Sequence, residues 1–195
     1  MTDYRKILDF WFNELNSFKE KIKLWFGGAK ETDERIRMLF EKDVIAASKG
    51  KLDDWEKEPE SCLALVILLD QFSLNIYRNK ARSFEINSLA LPISLRAIDK
   101  KFDKYVKPIQ RVFFYLPLEH AEDLKIQNQS VSLFQKLYNE AAVSEKDAMK
   151  TFLDYAVMHR EVIERFNRFP DRNDILGRTP TPEEKEYMDQ GGPPF

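Results

Sequence analysis

Apolar residues recur along this chain at the spacing of an α-helix, in stretches separated by residues that start and stop helices. No stretch shows the sustained alternation of apolar and polar residues that is typical of a strand. The pattern therefore predicts an all-α protein of about eight helices, forming one compact domain over residues 1–195. The predicted helices cover roughly residues 3–15, 32–50, 60–78, 83–101, 108–115, 117–138, 145–168 and 181–190.

Four residues in the first two thirds of the chain are predicted to shape these helices. Thr32 is placed to cap one helix and Gly50 to end it. Pro92 must kink the helix around it or split it into two pieces, because proline lacks the backbone N–H. Pro117 suits the first turn of the long helix that is predicted to follow.

The last third of the chain carries further start and stop signals. Ser144, followed three residues later by Asp147, is predicted to open a long helix that Pro170 stops. Thr181 combines with Pro182 and Glu184 as an N-cap, a first-turn proline and a capping-box glutamate. A short helix is therefore expected before the terminal GGPPF.

The stretch over 60–78 is apolar on every side through Leu69, which predicts a central, buried helix. It holds the single cysteine, Cys62, so that an internal disulfide and a cysteine-rich zinc site are excluded. Its longest uninterrupted apolar run, Cys62 to Leu69, is too short to span a bilayer.

The charge balance argues against several classes of partner. The chain has 31 Lys+Arg against 33 Asp+Glu, a formal net charge of −2, so no global attraction to nucleic acid or membrane is expected. The N-terminal residues lack the plain apolar segment of a signal peptide. We therefore expect a cytoplasmic protein without a nucleic-acid or membrane partner, and the sequence does not indicate an oligomeric state.

Ionisable residues interrupt three apolar helix faces. Asp70 shares a face with apolar residues of the central helix, His120 and Gln127 fall in the stripe of the helix from Pro117, and His159 lies mid-stripe in the next helix. An unpaired buried carboxylate costs several kcal/mol, so Asp70 needs a partner. We hypothesise that Asp70, His120 and His159 converge on one polar network.

This network has two interpretations from sequence alone. Each histidine on an apolar face is also typical of a core residue that is simply hydrogen-bonded. A metal site built from both histidines with Asp70 or Asp123 is conceivable, but it is disfavoured because the chain has no HxxxH or HxxE pair on one helix. No metal and no cofactor is therefore expected, and the candidates for catalysis are His159, His120 and Asp70.

Two ion pairs are predicted on the exposed face of the helix over 145–168. Glu161 and Arg165, like Glu164 and Arg168, are spaced four residues apart in the favourable order. An exposed, salt-bridged helix face accounts for these residues without a ligand.

The remaining arginines in this region have no obvious partner nearby in sequence. Arg160, Arg172 and Arg178 could line an anion-binding groove together with Asn173. Alternatively, they could cap buried carbonyl groups where the chain turns after Pro170, because the arginine fork suits both roles.

Five stretches together resemble a bacterial family, the domain of unknown function 924. The resemblance covers nearly the whole chain, in order, through ILDFWF at 7–12, LVILLDQFSLNIYR at 65–78, FYLPLEHAEDLKIQNQSVSLF at 114–134, HREVIERFNRFPDRNDILGRTPTPEE at 159–184 and the terminal GGPPF. It implies a fold like that of tetratricopeptide repeats, with antiparallel helix pairs stacked into a right-handed superhelix. The resemblance brings no established activity.

The polar positions of the family pattern are matched at many places in this chain. They are Asp70, Gln71, Asn75, Arg78, His120, Glu122, Asp123, His159, Arg160, Arg165, Arg168, Arg172 and Asn173. The chain departs from the pattern at Ser73 and Leu74, where the family has proline and arginine, and at Asp171, where it has histidine. If those positions contact a ligand, this member is expected to bind it differently.

The sequence favours a binding module for a peptide segment or a small anionic molecule, held in a groove lined by Asp, His and Arg. The residues predicted to bind the ligand are Asp70, Gln71, Arg78, His120, Asp123, Gln127, His159, Arg160, Arg165, Arg172 and Asn173. One alternative is an enzyme in which a histidine acts as general base, oriented by Asp70, while arginines hold an anionic substrate. A second alternative is a structural polar network without a ligand.

Overall fold

The structure is a computed structural model that describes residues 3–13 and 17–192. Helices dominate both described ranges, which contain no β-strand, so the prediction of an all-α protein is confirmed. The first predicted helix ended at Leu15, which lies outside the described residues, as do the last three residues of the GGPPF motif.

Two compact units divide the chain, an N-terminal unit of Met1–Pro117 and a C-terminal unit of Leu118–Phe195. The prediction of a single domain and that of a superhelix of stacked helix pairs both stay predictions. The α-helices that begin in the N-terminal unit are α1 (Tyr4–Leu8), α2 (Phe18–Phe26), α3 (Lys30–Ser48), α4 (Pro59–Ile67), α5 (Ser73–Ile76), α6 (Ala81–Asn87), α7 (Ala90–Asp99) and α8 (Pro108–Glu119). Those of the C-terminal unit are α9 (Leu124–Glu140), α10 (Lys146–Phe166) and α11 (Pro182–Asp189).

A continuous helix, Pro59–Ile76, forms the core of the N-terminal unit. It comprises α4, a π-helical turn at Leu68–Phe72 and α5, and every residue from Ser61 to Ser73 is buried. The prediction of a central, buried helix is therefore confirmed. The π-helical turn packs against α3, and its Phe72 ring lies 5.1 Å from the ring of Trp11, measured between centroids.

The same helix is, among the described residues, long and apolar enough to cross a membrane by length and composition, with a mean hydropathy of 1.2. Its apolar character thus extends beyond the uninterrupted run from Cys62 to Leu69. Because 83% of it is buried inside the structure, it has the character of the core helix of a soluble protein.

The helix ends in the N-terminal unit agree only in part with their prediction. α3 begins at Lys30, with Ala29 as N-cap and no side-chain cap, so Thr32 lies inside the helix. Gly50 follows the end of α3 with a φ of +70°, as expected of a terminating glycine. Pro92 lies in the first turn of α7, where a missing N–H costs no helical hydrogen bond, and the predicted helix over 83–101 is split.

The prediction that Pro117 opens a helix is wrong. Pro117 lies inside α8, two residues before its C-terminal end, and its missing N–H removes one hydrogen bond from the last turns of the helix. The next helix, α9, starts only at Leu124, because Asp123 serves as its N-cap and accepts a hydrogen bond from Ile126 N at 3.0 Å. His120 therefore lies in the connection between the two helices rather than on a helix face.

The C-terminal unit is built on the packing of α9 against α10. α10 begins at Lys146 after a short 3-10 turn, with no side-chain cap, so Ser144 does not cap it. It ends at Phe166, two residues before the predicted end near residue 168, because Asn167 takes a left-handed conformation with a φ of 57°. At α11 the predicted capping box between Thr181 and Glu184 is present.

Candidate functional site

Asp70 lies in the π-helical turn of the N-terminal unit and has 0% exposed surface. Its Oδ2 accepts a hydrogen bond from Gln71 Nε2 at 2.5 Å, and its Oδ1 accepts one from Asn87 Nδ2 at 2.6 Å. The buried carboxylate therefore has amide donors within its own unit, one of which, Asn87, the sequence patterns did not indicate. The pairing of Asp70 with a histidine stays a prediction.

Arg78, also predicted to bind a ligand, forms a two-point ion pair with Asp33 of α3. The distances are 2.6 Å from Nε to Oδ2 and 2.8 Å from Nη2 to Oδ1, and Asn75 Nδ2 donates to the same carboxylate at 2.8 Å. Partial burial raises the pKa of Asp33, but the hydrogen bonds from Arg78 and Asn75 outweigh this and lower it overall. This cluster joins α3 to the end of the central helix.

Ser73, where the family pattern has proline, is fully buried in the same helix. Its hydroxyl donates to the carbonyl of Leu69 at 2.6 Å, four residues earlier. The hydroxyl thus gives the Leu69 carbonyl a donor that a proline at this position could not supply.

His159 is buried in α10 of the C-terminal unit, with 6% of its surface exposed. Its Nδ1 lies 2.8 Å from the carbonyl oxygen of Tyr155 and 3.2 Å from Oε1 of Glu119. Both neighbours are acceptors, so Nδ1 carries the proton and the neutral ring has its basic lone pair on Nε2.

Burial lowers the pKa of His159 to about 3, and the nearby His120 and Arg172 act in the same direction. The hydrogen bond to the Tyr155 carbonyl raises the pKa but does not outweigh burial. An ionised Glu119 at 3.2 Å would also oppose the shift. Because a ring this deeply buried loses nearly all its hydration, we hold desolvation to be the larger effect, and His159 is neutral at pH 7.

The structure brings His120 and Arg172 to His159. The ring centroids of His120 and His159 are 6.3 Å apart, and Phe169 packs edge-on against His159 at 5.6 Å. Arg172, 6% exposed, places its guanidinium 4.2 Å from the centre of the Phe169 ring and donates from Nη1 to the His120 carbonyl at 3.0 Å. This carbonyl lies in the connection before α9, whereas the capping role that the sequence left open for Arg172 concerned carbonyls in the turn after Pro170.

Gln127 and Asp123 hold the connection that contains His120. Gln127 is fully buried, and its Nε2 donates to the carbonyls of Glu119 at 2.6 Å and Ala121 at 2.8 Å. Asp123 is the N-cap of α9. Both residues were predicted to bind a ligand, and in the structure they fix the backbone on either side of His120.

The turn after α10 is held by Glu122, which binds the backbone N–H of Phe169, and by Arg178, which binds its carbonyl oxygen. Glu122 accepts from Phe169 N at 2.8 Å and from Nη1 of Arg178 at 2.7 Å. Arg178 Nη2 donates to the Phe169 carbonyl at 2.9 Å. The turn that leads into Pro170 is therefore anchored by an ion pair whose two members are distant in sequence.

Glu184, with 2% of its surface exposed, forms a buried ion pair with Arg168. Arg168 donates to both carboxylate oxygens, at 2.6 and 2.7 Å, and Asn173 Nδ2 donates at 3.2 Å. The hydrogen bonds from Arg168 are the main cause that lowers the pKa of Glu184 to about 2, against the effect of burial. The sequence predicted only that Glu184 takes part in the capping box of α11.

The arginines of α10 take partners other than those predicted from sequence. Arg165 pairs with Glu183 at 2.8 Å instead of Glu161, and Arg168 pairs with Glu184 instead of Glu164. Arg160 has a local partner after all, four residues on, because its Nη2 lies 2.6 Å from Oε2 of Glu164. The predicted pairs were wrong because residues beyond the helix compete for the same arginines.

A pocket of about 270 Å³ opens beside Glu184, between the 3-10 turn at Pro170–Arg172 and α11. Its wall is formed by Pro170, Asp171, Asn173, Asp174, Pro180, Glu184, Lys185, Met188 and Asp189. Of the residues predicted to bind a ligand, Asn173 belongs to this wall, as does Asp171, one of the departures from the family pattern. Across residues 3–13 and 17–192, no group of three or more His, Cys, Asp or Glu side chains is arranged to hold a metal ion.

Glu119 and the pocket were missed by the sequence analysis for different reasons. Glu119 shares a buried face with Val112 and Leu116 of α8, a pattern that is visible once these residues are assigned to one helix. The residues of the pocket come from a turn and a short helix, and no periodic pattern joins them.

The fold and the site define an all-α protein with a buried polar network and an adjacent pocket in its C-terminal unit. The chain belongs to the family of bacterial proteins of unknown function called DUF924, whose sequence profile matches residues 7–192. The resemblance inferred from sequence motifs is thus confirmed.

A solved structure, that of the protein of unknown function ATU0120 from Agrobacterium tumefaciens, is similar to this chain. The two are 37% identical, the match covers 96% of this chain and 97% of the other, and the TM-score is 0.83. Among curated proteins, no significant match was found.

Proposed function

We propose that this protein is a binding module whose ligand occupies the pocket between the Pro170–Arg172 turn and α11. The observation that supports the proposal is the pocket itself, a cavity of about 270 Å³ lined by both polar and apolar side chains. Ligand sites are typically concave, with a few polar groups placed among apolar ones.

The pocket has a wall whose position is fixed by buried hydrogen bonds. Glu184 accepts from Arg168, from Asn173 and from the backbone N–H of Thr181, at distances of 2.6 to 3.2 Å. Such preorganisation favours binding, because the ligand does not have to order the side chains that receive it.

Hydrogen bonds from Arg172 and Arg178 and to Glu122 support the turn on the other side of the pocket. Arg172 and the anchors of Phe169 hold the turn that carries Pro170 and Asp171 into the wall. On this proposal, the motif at 159–184 serves binding indirectly, by holding the turn in place. An anion held by Arg172 or Arg178 would have to displace hydrogen bonds that these arginines already make.

A second candidate function is an enzyme in which His159 acts as a general base. The contact of 3.2 Å between His159 Nδ1 and Glu119 favours it, because a carboxylate commonly orients a catalytic histidine. Against it, His159 is 6% exposed, and a pKa of about 3 makes it a weak base at pH 7. The binding module is therefore the better-supported function.

A thermal-shift screen tests the binding module. The panel contains nucleotides, carboxylates, phosphates, amines, short peptides and neutral metabolites, since a ligand at a hundred times its dissociation constant adds roughly 2.7 kcal/mol. The variant Lys185→Trp places a large ring in the pocket wall, and the neighbouring Glu186→Trp places it on an exposed position outside the wall.

We expect at least one compound to raise the melting temperature of the wild type and of Glu186→Trp, but not that of Lys185→Trp. If no compound gives a shift that depends on Lys185, the proposal is wrong. The structural network without a ligand is then the remaining interpretation.

A further inference from the structure

We infer that the pocket binds a primary ammonium group on an aliphatic stem, an inference that rests on the proposed binding function. The lining carries four carboxylates, Asp171, Asp174, Glu184 and Asp189, and one ammonium, Lys185. Even with Glu184 neutralised by Arg168, the formal charge of the lining is negative. A cation is therefore attracted to this pocket and an anion repelled.

A buried acceptor on the wall points to a hydrogen-bond donor as ligand. Asn173 is 1% exposed and lines the pocket, and its Oδ1 has no hydrogen-bond partner among the described residues. Buried polar atoms are normally satisfied, so an oxygen in this position suits a ligand N–H. This acceptor favours a ligand with a hydrogen-bond donor, and the negative charge of the lining favours a ligand with a positive charge.

The remaining wall is apolar. Pro170, Pro180 and Met188 present ring and side-chain carbons to the pocket, which suit the methylene groups of an alkyl chain. With about 270 Å³, the cavity is just below the range of about 300–1,000 Å³ for small-molecule sites, so that one short chain fills it.

Two other cations fit this pocket less well. Its carboxylates are not grouped closely enough to hold a metal ion, within the part of the chain that the structure describes. A guanidinium group favours two-point contact with a carboxylate, and Glu184 already makes that contact with Arg168. An ammonium group is a compact charge with three donors, which suits separate acceptors.

Isothermal titration calorimetry of the full chain tests this inference. The probes are cadaverine, as a free alkyl diamine, and Nα-acetyl-lysine amide, as the side chain of a peptide. Pentanediol serves as the neutral control, and Nα-acetyl-arginine amide and Mg²⁺ as the competing cations. The variants Asp174→Asn and Asp189→Asn remove exposed carboxylates of the pocket, whereas Glu161→Gln removes an exposed carboxylate of α10 outside it.

We expect an amine probe to bind the wild type and Glu161→Gln equally and to bind each pocket variant about three- to tenfold more weakly, as for loss of one partly solvated charge. Tighter binding of cadaverine indicates a free amine as the natural ligand, and tighter binding of the lysine derivative indicates a peptide. Equal or tighter binding of pentanediol, the arginine derivative or Mg²⁺ overturns the inference.

The inference and the proposed function can fail separately. If the screen finds an anionic or neutral compound whose effect depends on Lys185, while neither amine binds, the binding module stands and the ammonium ligand is wrong. If neither the screen nor the titrations detect binding at the pocket, both are wrong.

Discussion

Glu119 and His159 form a buried carboxylate–histidine contact in the C-terminal unit, with Oε1 of the glutamate 3.2 Å from Nδ1 of the ring. Both residues are nearly inaccessible, at 3% and 6% exposure. The contact links the end of α8 to the middle of α10, and the ring is neutral because burial lowers its pKa. Because the folded protein keeps this ring neutral, its stability depends on pH.

The free energy of unfolding should fall as the pH drops below 6.5, because of His159. The pKa of its ring is about 3 in the folded protein against 6.5 for a free side chain, so the unfolded chain binds a proton that the folded chain rejects. The stabilisation is fully present above pH 6.5 and is lost as the pH falls from there towards 3. Between pH 7 and pH 5 the loss is on the order of 2 kcal/mol.

Urea unfolding of the wild type, His159→Gln and His120→Gln at these two pH values measures this effect. The glutamine at 159 should remove most of the difference between pH 7 and pH 5, and the glutamine at 120 should leave it in place. A variant His159→Gln that keeps the full pH dependence would contradict the account.

The ion pair between Glu184 and Arg168 should contribute far more to the free energy of unfolding than the neighbouring ion pair between Glu183 and Arg165. Glu184→Gln removes the charge that Arg168 grips with two hydrogen bonds at a nearly inaccessible site, and should cost about 2–3 kcal/mol. Glu183→Gln removes the same charge from the exposed pair with Arg165 and should cost less than about 0.5 kcal/mol. Chemical denaturation at pH 7 compares the two variants.

The same pair also has a pH window of its own. Because the pKa of Glu184 is lowered to about 2 from 4.5, its stabilisation is present above pH 4.5 and is lost as the pH falls towards 2.

Equal effects of Glu184→Gln and Glu183→Gln at pH 7 would show that the contact of Glu184 with Arg168 contributes no more to stability than a surface ion pair.

Asp70 and Asn87 should be energetically coupled in the N-terminal unit. Their side chains meet at 2.6 Å in a fully buried position, so the removal of either one leaves a polar group without its partner. A double-mutant cycle of Asp70→Ala with Asn87→Ala should give a coupling energy of at least about 1 kcal/mol. The same cycle with Ser88→Ala, an exposed neighbour, should give a value near zero.

The pairing of Asp70 with a histidine, predicted from sequence, has a separate test. If it exists, Asp70→Asn should change the NMR titration of His120 or His159, whereas Asp99→Asn, the same change on an exposed residue, should not. Histidine titrations that are unchanged in Asp70→Asn would rule the pairing out.

Local signals allowed much of the fold to be predicted, and non-local contacts account for most of what was missed. The capping box of Thr181 and Glu184 depends on four successive residues, and the central helix depends on its apolar run, so both were predictable. The ion pair between Arg168 and Glu184 depends on the path of the chain after Asn167, which brings α11 to Arg168. No sequence pattern within α10 encodes that path. The error at Pro117 arose because proline is favoured in the first turn of a helix and disfavoured further along it, so its presence near the end of α8 suggested a helix start.

Prediction of the candidate site from sequence was limited in the same way, by contacts between residues that are distant in the chain. The motif at 159–184 indicated the correct region, because polar residues on an apolar face must be satisfied somewhere. Their partners include Glu119 and Glu122, which stand far away in sequence, and the pocket beside them is formed by residues of a turn and of α11 that range from buried to exposed. Because these residues come from two separate segments, no periodic pattern joins them, and the pocket becomes visible only in three dimensions.

The most direct test of the central claim is an NMR titration of the methionine methyl groups with a compound that stabilises the protein in the screen. Met188 lines the pocket, whereas Met38 is 85% exposed on α3 in the N-terminal unit and serves as an internal control. We predict that the compound shifts or broadens the Met188 methyl signal in a saturable manner and leaves that of Met38 unchanged. An unchanged Met188 signal at a concentration that stabilises the protein would place the ligand elsewhere and contradict the account.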